Sequence, residues 1–333
     1  MEMSAVILAA GKGTRMKSEL PKCAHQIIDK PMVEYVVDSL KELKVQNIIA
    51  VVGYGKETIM NLLKDKVQYV IQEEQLGTAH AVKQARPLLE GKEGITIIAI
   101  GDMPFIKKET FYSLVLNHMQ ERADVTVLTV DHPQPYGYGR ILRDDNGQVL
   151  RIIEERDCTK DQTAITEINS SVYAVNNEIL FECLDKVKNK NVQKEYYLTD
   201  IVDIARKLNY KVNAYKTTDY RELSGINNKL QLMEMEMEYQ KKILERHLLS
   251  GVSIHNPETV VIGKNVVLAP GVELFANTQI TGSTIVEKNT IIGPNSMVHD
   301  CKIGQGVKVI CSNLDGVTVE SNQIVGPFKY LHS

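Results

Sequence analysis

A chain of 333 residues, 43% hydrophobic and 24% charged, is long enough for one large domain and a smaller one, each with a real core. Its formal net charge of -3 leaves no basic footprint for nucleic acid or a membrane surface. Five scattered cysteines, odd in number and never in C-x-x-C spacing, argue against a disulfide framework and a zinc site; with no window apolar enough for a membrane span or signal peptide, a cytoplasmic location is expected.

The first predicted element is an apolar run, Ala5 to Ala10, that reads as a buried strand and breaks at Gly11 and Gly13. It opens the stretch Val6-Ile-Leu-Ala-Ala-Gly-Lys-Gly-Thr-Arg-Met-Lys-Ser-Glu-Leu-Pro-Lys22. Bare backbone at glycines can approach an anion, and Lys12, Arg15 and Lys22 put three cations in the same loop. A lone G-x-G is more often a tight connection, and this loop is neither a Walker A nor a complete G-x-G-x-x-G.

Up to about residue 130, apolar runs alternate with helical patterns. The spacing predicts helices over Met32–Leu43, Glu57–Lys64, Ala79–Leu89 and Lys108–Glu121, with strands Asn47–Val52, Val67–Ile71, Ile95–Ile100 and Val125–Val130 between and after them. That alternation means βαβ units and a parallel sheet covered on both faces. Ligands of such sheets bind outside the carboxyl ends of the strands. The glycine loop, the Gln72–Thr78 loop and Asp102 all fall there.

From Asp131 the pattern loosens. Asp145-Asn146-Gly147 marks a hairpin between Arg140–Leu142 and Val149–Ile153; a strand over Ile168–Val175 and a helix over Tyr197–Leu208 follow. Asn227–Leu249 has no glycine or proline and reads as one long helix. Its Met233, Met235 and Met237 suit a pliable partner surface, though a packed linker helix is the commoner story. Beyond Gly251, aliphatic residues recur every six positions: Ile262, Leu268, Leu274, Ile280, Val286, Ile292, Val298. This period marks a left-handed parallel β-helix of about four short coils, whereas a β-sandwich keeps no such period. The frame slips by one at Ile303, where a bulge or loop is expected. The expected division is a domain over 1–226, a linker helix over 227–250 and a β-helix over 251–333.

Candidate chemistry gathers in the first part. Amide side chains of Gln72 and Gln75 could pair with a base edge beside Gly77, although a polar loop capped by Thr78 explains them too. Asp102, after an apolar strand, is a hard-oxygen ligand of the kind Mg²⁺ takes, or a turn aspartate before Pro104. The eight histidines form no constellation.

The string L-A-A-G-x-G-T-R-M followed by P-K resembles the signature of sugar-1-phosphate nucleotidyltransferases, and within them the uridyltransferases that act on N-acetylglucosamine 1-phosphate. Gln72-Glu-Glu-Gln75-Leu-Gly77-Thr78, Tyr136-Gly-Tyr-Gly139-Arg140, Glu154, Glu167-Ile-Asn169-Ser170, Glu195-Tyr-Tyr-Leu-Thr-Asp200 and Gly225-Ile-Asn227-Asn228 extend the resemblance across the chain. It implies a Rossmann-like, mixed, mostly parallel α/β domain with a linker helix and a short β-helix. It implies uridylyl transfer from UTP to N-acetylglucosamine 1-phosphate with Mg²⁺, giving UDP-N-acetylglucosamine and pyrophosphate. By the same resemblance Arg15 and Lys22 are catalytic, and Leu8, Ala9, Ala10, Gly11, Gly13, Gln72, Gly77, Thr78 and Asp102 hold the nucleotide. Gly139, Glu154, Asn169 and Asn227 hold the sugar phosphate, and Asp102 with Asn227 holds the metal. Glu195–Asp200 receives no chemical role. Where the family carries Tyr two positions before the aspartate, this chain has Ile100, which leaves one sugar or ribose contact unaccounted for.

Alternatives are a glucose-1-phosphate uridylyl- or thymidylyltransferase, and a non-catalytic regulatory subunit. A third is that the β-helix is itself an acetyltransferase, as in two-function relatives. Here Gly326-Pro-Phe-Lys-Tyr-Leu-His332 reaches the stretch after which the relatives' acetyltransferase residues lie, so that activity is expected to be absent. The β-helix is expected to assemble a homotrimer.

Overall fold

The computed structural model describes residues 2–333. They fall into two compact units: residues up to His25 with Pro31–Asn228, and Gln26–Lys30 with Lys229–Ser333.

In the first unit, strands β1 (Met3–Ala9), β2 (Asn47–Val52), β3 (Gln68–Ile71) and β4 (Ile95–Ile100) alternate with helices α1 (Met32–Glu42), α2 (Lys56–Leu63), α3 (Thr78–Lys83) and α4 (Arg86–Leu89). Helix α5 (Lys108–Gln120) and strand β5 (Val125–Asp131) follow. Next come β6 (Arg140–Arg143), β7 (Val149–Ile153), β8 (Glu167–Asn176), α6 (Asn177–Lys186), α7 (Asp200–Lys207) and β9 (Val212–Thr217). The nine-stranded sheet runs β9-β5-β8-β4-β1-β2-β3, with the β6–β7 hairpin attached to β8. Strand β1 is parallel to β2 and β4. Its side chains alternate between two cores, Ala5, Ile7 and Ala9 on one face and Val6 on the other. Covering on both faces explains why the strand reads as an unbroken apolar run.

Strand β5 does not join the parallel series directly. The ten-residue β8 inserts antiparallel between β4 and β5, which makes the sheet mixed.

Two expected helices are shorter than the pattern suggests. Ala79–Leu89 is not one helix: it breaks between Lys83 and Arg86. Pro87 has no N–H for the Lys83 carbonyl, and its ring would strike the preceding turn. The Tyr197–Leu208 helix begins only at Asp200, because the backbone before it bonds elsewhere. Tyr196 N–H donates to the Leu76 carbonyl and Ala79 N–H to the Tyr196 carbonyl (2.8 and 2.9 Å).

The second unit holds helix α8 (Lys229–Leu249) and a parallel β-helix. The helix fully buries only Ile243 and His247, with Tyr239 and Leu244 packed beside them, while Met233 and Met237 stay exposed. The β-helix walls are three parallel sheets of five, five and four short strands, which rules out a sandwich. All seven residues of the six-residue series are buried. The slip at Ile303 produces no bulge, since Val286 still pairs with Ile303 in register. The corner absorbs it. In most six-residue steps, as at Gly271, Asn277, Asn289 and Gly306, the left-handed conformation falls three residues after the buried position; at Gly282, and in the five-residue steps at Asp300, Cys311 and Gly316, it falls two residues after. Glycine and asparagine recur because they adopt that conformation at least cost.

Candidate active site

Beyond β1 the chain makes two single turns, Thr14–Met16 and Lys22–Ala24, anchored by buried Met16, Cys23 and Ala24. Gly13 has φ +63°, and a Cβ there would lie 2.5 Å from Lys22 Cβ. Glycine is what lets the Lys22 stem cross the loop.

The Lys22 ammonium forms an ion pair with Asp102 Oδ2 and donates to Asn227 Oδ1 (2.9 Å); Arg15 Nη2 donates to the same Asn227 oxygen (2.8 Å). Residues 205 and 212 positions apart in sequence therefore meet on one atom. Ile226 N–H donates to the Asp102 carbonyl (3.0 Å) and fixes the Asn227 segment to the end of β4. Asp102 Oδ1 is buried and has no hydrogen-bond partner. A desolvated carboxylate oxygen without a donor is costly unless a cation completes it. Asp102 and Asn227 offer two hard oxygens, the donor set that suits a divalent cation sharing its shell with phosphates. No group of three His, Cys, Asp or Glu side chains forms a metal cage among the described residues. The neighbouring Cys23 thiol is pushed up to about 12 by burial and then by the Asp102 charge, so it stays neutral and is no nucleophile.

A cavity of about 410 Å³ opens over this cluster. Leu8, Ala10, Gly11, Gly13, Arg15 and Lys22 line one side; Gln72, Gly77, Thr78 and Asp102 line the other, with Ile100 beside them. Ala9 is not there, since the strand alternation turns it into the opposite core. Gln75, expected beside the base edge, lines the cavity as well, and so do Cys23 and Glu195, to which sequence reasoning gave no such place. Gln72 is buried; its Nε2 donates to the Gly77 carbonyl and meets His80 Nδ1, both at 3.1 Å. Gln75 Nε2 donates to the Gln72 carbonyl (3.0 Å). Gly77 has φ +121°, and a Cβ would sit 2.5 Å from the Tyr196 carbonyl oxygen. Thr78 is no helix cap: its hydroxyl accepts from Leu198 N–H (2.9 Å).

Gly139, Glu154 and Asn169 do not line this cavity and form a second cluster. Asn169 N–H donates to the Gly139 carbonyl (2.9 Å), and Glu154 accepts from the Thr199 hydroxyl (3.2 Å). Burial raises the Glu154 carboxyl, with Asp157, Asp200 and Glu195 adding to it. Asn169 lies at a register shift in β8, where Ser171 has φ +62°. The bulge is satisfied locally: Ser171 N–H donates to Asn169 Oδ1 (3.0 Å) and Val172 N–H to the Ser170 hydroxyl (3.2 Å). Bulges of this kind re-aim side chains at functional sites. The segment Tyr196–Thr199 stitches the clusters together, reaching Leu76–Ala79 with its backbone and Glu154 with Thr199. Thr199 was present in the motif without a role.

Comparison with known proteins aligns residues 4–221 with the family described as Nucleotidyl transferase. The chain is also similar to curated proteins named bifunctional protein GlmU. That of Lactobacillus delbrueckii subsp. bulgaricus is 41% identical over 331 residues, covering 99% of this chain and 72% of the relative. Those of Brevibacillus brevis and Alkaliphilus oremlandii are 41% identical over 330 and 337 residues, with the same 99% and 72% coverage.

Proposed function

The chain belongs to the nucleotidyl transferase family, and within it to the GlmU-type N-acetylglucosamine-1-phosphate uridyltransferases; from that premise we propose that it makes UDP-N-acetylglucosamine and pyrophosphate from UTP and N-acetylglucosamine 1-phosphate. The observation that carries the reading is the convergence of Arg15, Lys22, Asp102 and Asn227 beside the cavity. An idle regulatory subunit has no need to keep that cluster assembled.

A sugar phosphate dianion is already a competent nucleophile, so no protein base is required. Its oxygen forms a bond to the α-phosphorus as the α–β bridging bond breaks and the electron pair leaves with pyrophosphate. The chain's work is alignment and charge neutralisation. Lys22 would hold the α-phosphate and the incoming phosphate, and Arg15 the departing pyrophosphate. Backbone from Leu8 to Gly13 would bring N–H groups to the triphosphate, and Gln72 with the Gly77–Thr78 backbone would read uracil. Gly139, Glu154 and Asn169 would seat the sugar hydroxyls and acetamido group. Asp102 Oδ1 and Asn227 Oδ1 would hold a divalent cation, Mg²⁺ by the hardness of the donors, which when bound supplies charge neutralisation at the phosphates.

Acetyl transfer is not assigned to this chain. In its β-helix His255 stacks on Phe275 (4.5 Å between centroids) and His299 bonds Thr281 (2.9 Å), so both rings are engaged in contacts within the coil. No free thiol should appear with acetyl-coenzyme A and glucosamine 1-phosphate.

A pyrophosphate-release assay over a panel of sugar phosphates and nucleoside triphosphates tests the main reading. Release should be fastest with UTP and N-acetylglucosamine 1-phosphate. Faster turnover of glucose 1-phosphate or of dTTP would move the assignment to another member of the class.

A further inference from the structure

Arg140 is 1% exposed, the largest fully buried side chain among the described residues. Burying a guanidinium is costly unless its donors are met, and with Arg140 Nε buried and unpartnered the two Nη groups carry the offset. Its Nη1 donates to the Tyr138 carbonyl and its Nη2 pairs with Glu155 Oε2 (2.6 Å). The same Glu155 oxygen accepts from Gly137 N–H (3.2 Å). One ion pair, buried at Arg140 and half-buried at Glu155, thus grips the loop 137–139 at Gly137 N–H and at the Tyr138 carbonyl. The loop's two sides point to different business. The Tyr138 hydroxyl meets Ser224 and the backbone of Gly225, three and two residues before Asn227, and its ring lies 5.1 Å from that of His132. The Gly139 carbonyl, one residue later, accepts from Asn169 N–H.

We propose that Arg140 and Glu155 are positioning residues that lock the 137–139 loop and so set the sugar-phosphate site against the Asn227 segment. The inference rests on the uridylyltransferase reading of that site. Neither residue is asked to touch substrate. Lysine at 140 keeps the charge and loses the planar fork, so it cannot serve the Tyr138 carbonyl and Glu155 together. The nucleotide side of the cavity gains nothing from the clamp.

The test is steady-state kinetics of Arg140→Lys, Glu155→Gln and Gly137→Ala, with melting curves for each. Gly137 has φ +87° and open space around its missing Cβ, so alanine disturbs the loop backbone without touching the core. The expected result is a KM for N-acetylglucosamine 1-phosphate raised about tenfold or more in all three, with the KM for UTP within about threefold of wild type. Two outcomes overturn the inference while leaving the reaction in place: both KM values rising together, or melting temperatures falling with neither KM moved. A wild-type chain that turns over no sugar phosphate overturns the functional reading, and this inference with it.

Discussion

Two cations on one amide oxygen repel each other, and the Lys22 and Arg15 heads both rest on Asn227 Oδ1. Only Lys22 also has a carboxylate, Asp102, to offset the repulsion. The arrangement is therefore better balanced once phosphate oxygens arrive, and best when charge builds on them in the transition state. Lys22→Ala and Arg15→Ala should each lower kcat by about 100-fold or more with only a modest change in melting temperature. A Lys22→Ala enzyme with near-normal turnover would remove the role assigned to it. Asp102→Asn keeps the volume and loses the charge of the one orphaned buried carboxylate oxygen in this cluster. Its Mg²⁺ requirement in a metal titration should move to at least about tenfold higher concentration. An unchanged titration would place the metal elsewhere. At this scale the order of motifs named the residues, because a phosphate loop must carry its glycines and cations in fixed places. It could not show that Asn169 sits on a bulge, or that Thr199 belongs to the Glu154 cluster. Both depend on pairings made across dozens of residues.

Elements were legible where one physical period dominates and illegible where long-range bonds compete with it. The β-helix is the clear case: every residue of the six-residue series is buried, and most corners choose glycine or asparagine for a backbone reason. The antiparallel β8 was hidden, since an apolar strand reads alike in either direction. The late start of α7 was hidden by the bonds from Leu76–Ala79 to Tyr196 and Leu198. Gly77 is where those bonds become a constraint. Its φ of +121° suits glycine alone, and any Cβ would press on Tyr196 backbone. Gly77→Ala should cost about 1–3 kcal/mol from backbone strain, read as a lower denaturation midpoint. UTP binding should weaken with it; a variant of wild-type stability would mean the loop relaxes freely. In the second unit, burial holds the His247 imidazole down to about 4, and Arg246 donates to its Nε2 at 3.2 Å. The folded ring stays neutral while the unfolded one takes a proton below about 6.5. Stability of this unit should therefore fall as pH drops from about 6.5 towards 4. His247→Gln should flatten that slope; the same slope in the variant would assign the acid lability to other groups.

At the scale of the whole molecule, the trimer expected from the sequence would form through an outer face of the β-helix. Inward positions are filled, and the backbone of each wall is hydrogen-bonded within it, so further stabilisation must come from outward side chains. On one wall Val267 and Ile285 stand in register on neighbouring coils, 56% and 44% exposed, before the row turns polar at Lys302 and Thr318. An apolar pair on a flat wall is small, but the wall is rigid and a symmetric neighbour meets the same pair without paying to order it. A three-walled coil with an apolar pair in register on one wall suits a closed ring of three, each chain offering that wall to the axis. Light scattering should give three chain masses at micromolar concentration. Val267→Glu with Ile285→Glu should yield monomers that keep the circular dichroism of the folded chain, because the substituted side chains point away from every core. Uridylyl transfer should persist in those monomers, since each residue assigned to it comes from one chain. A wild-type protein that scatters as a monomer across the concentration range would refute the trimer, and a double variant that stays trimeric would move the interface to another wall.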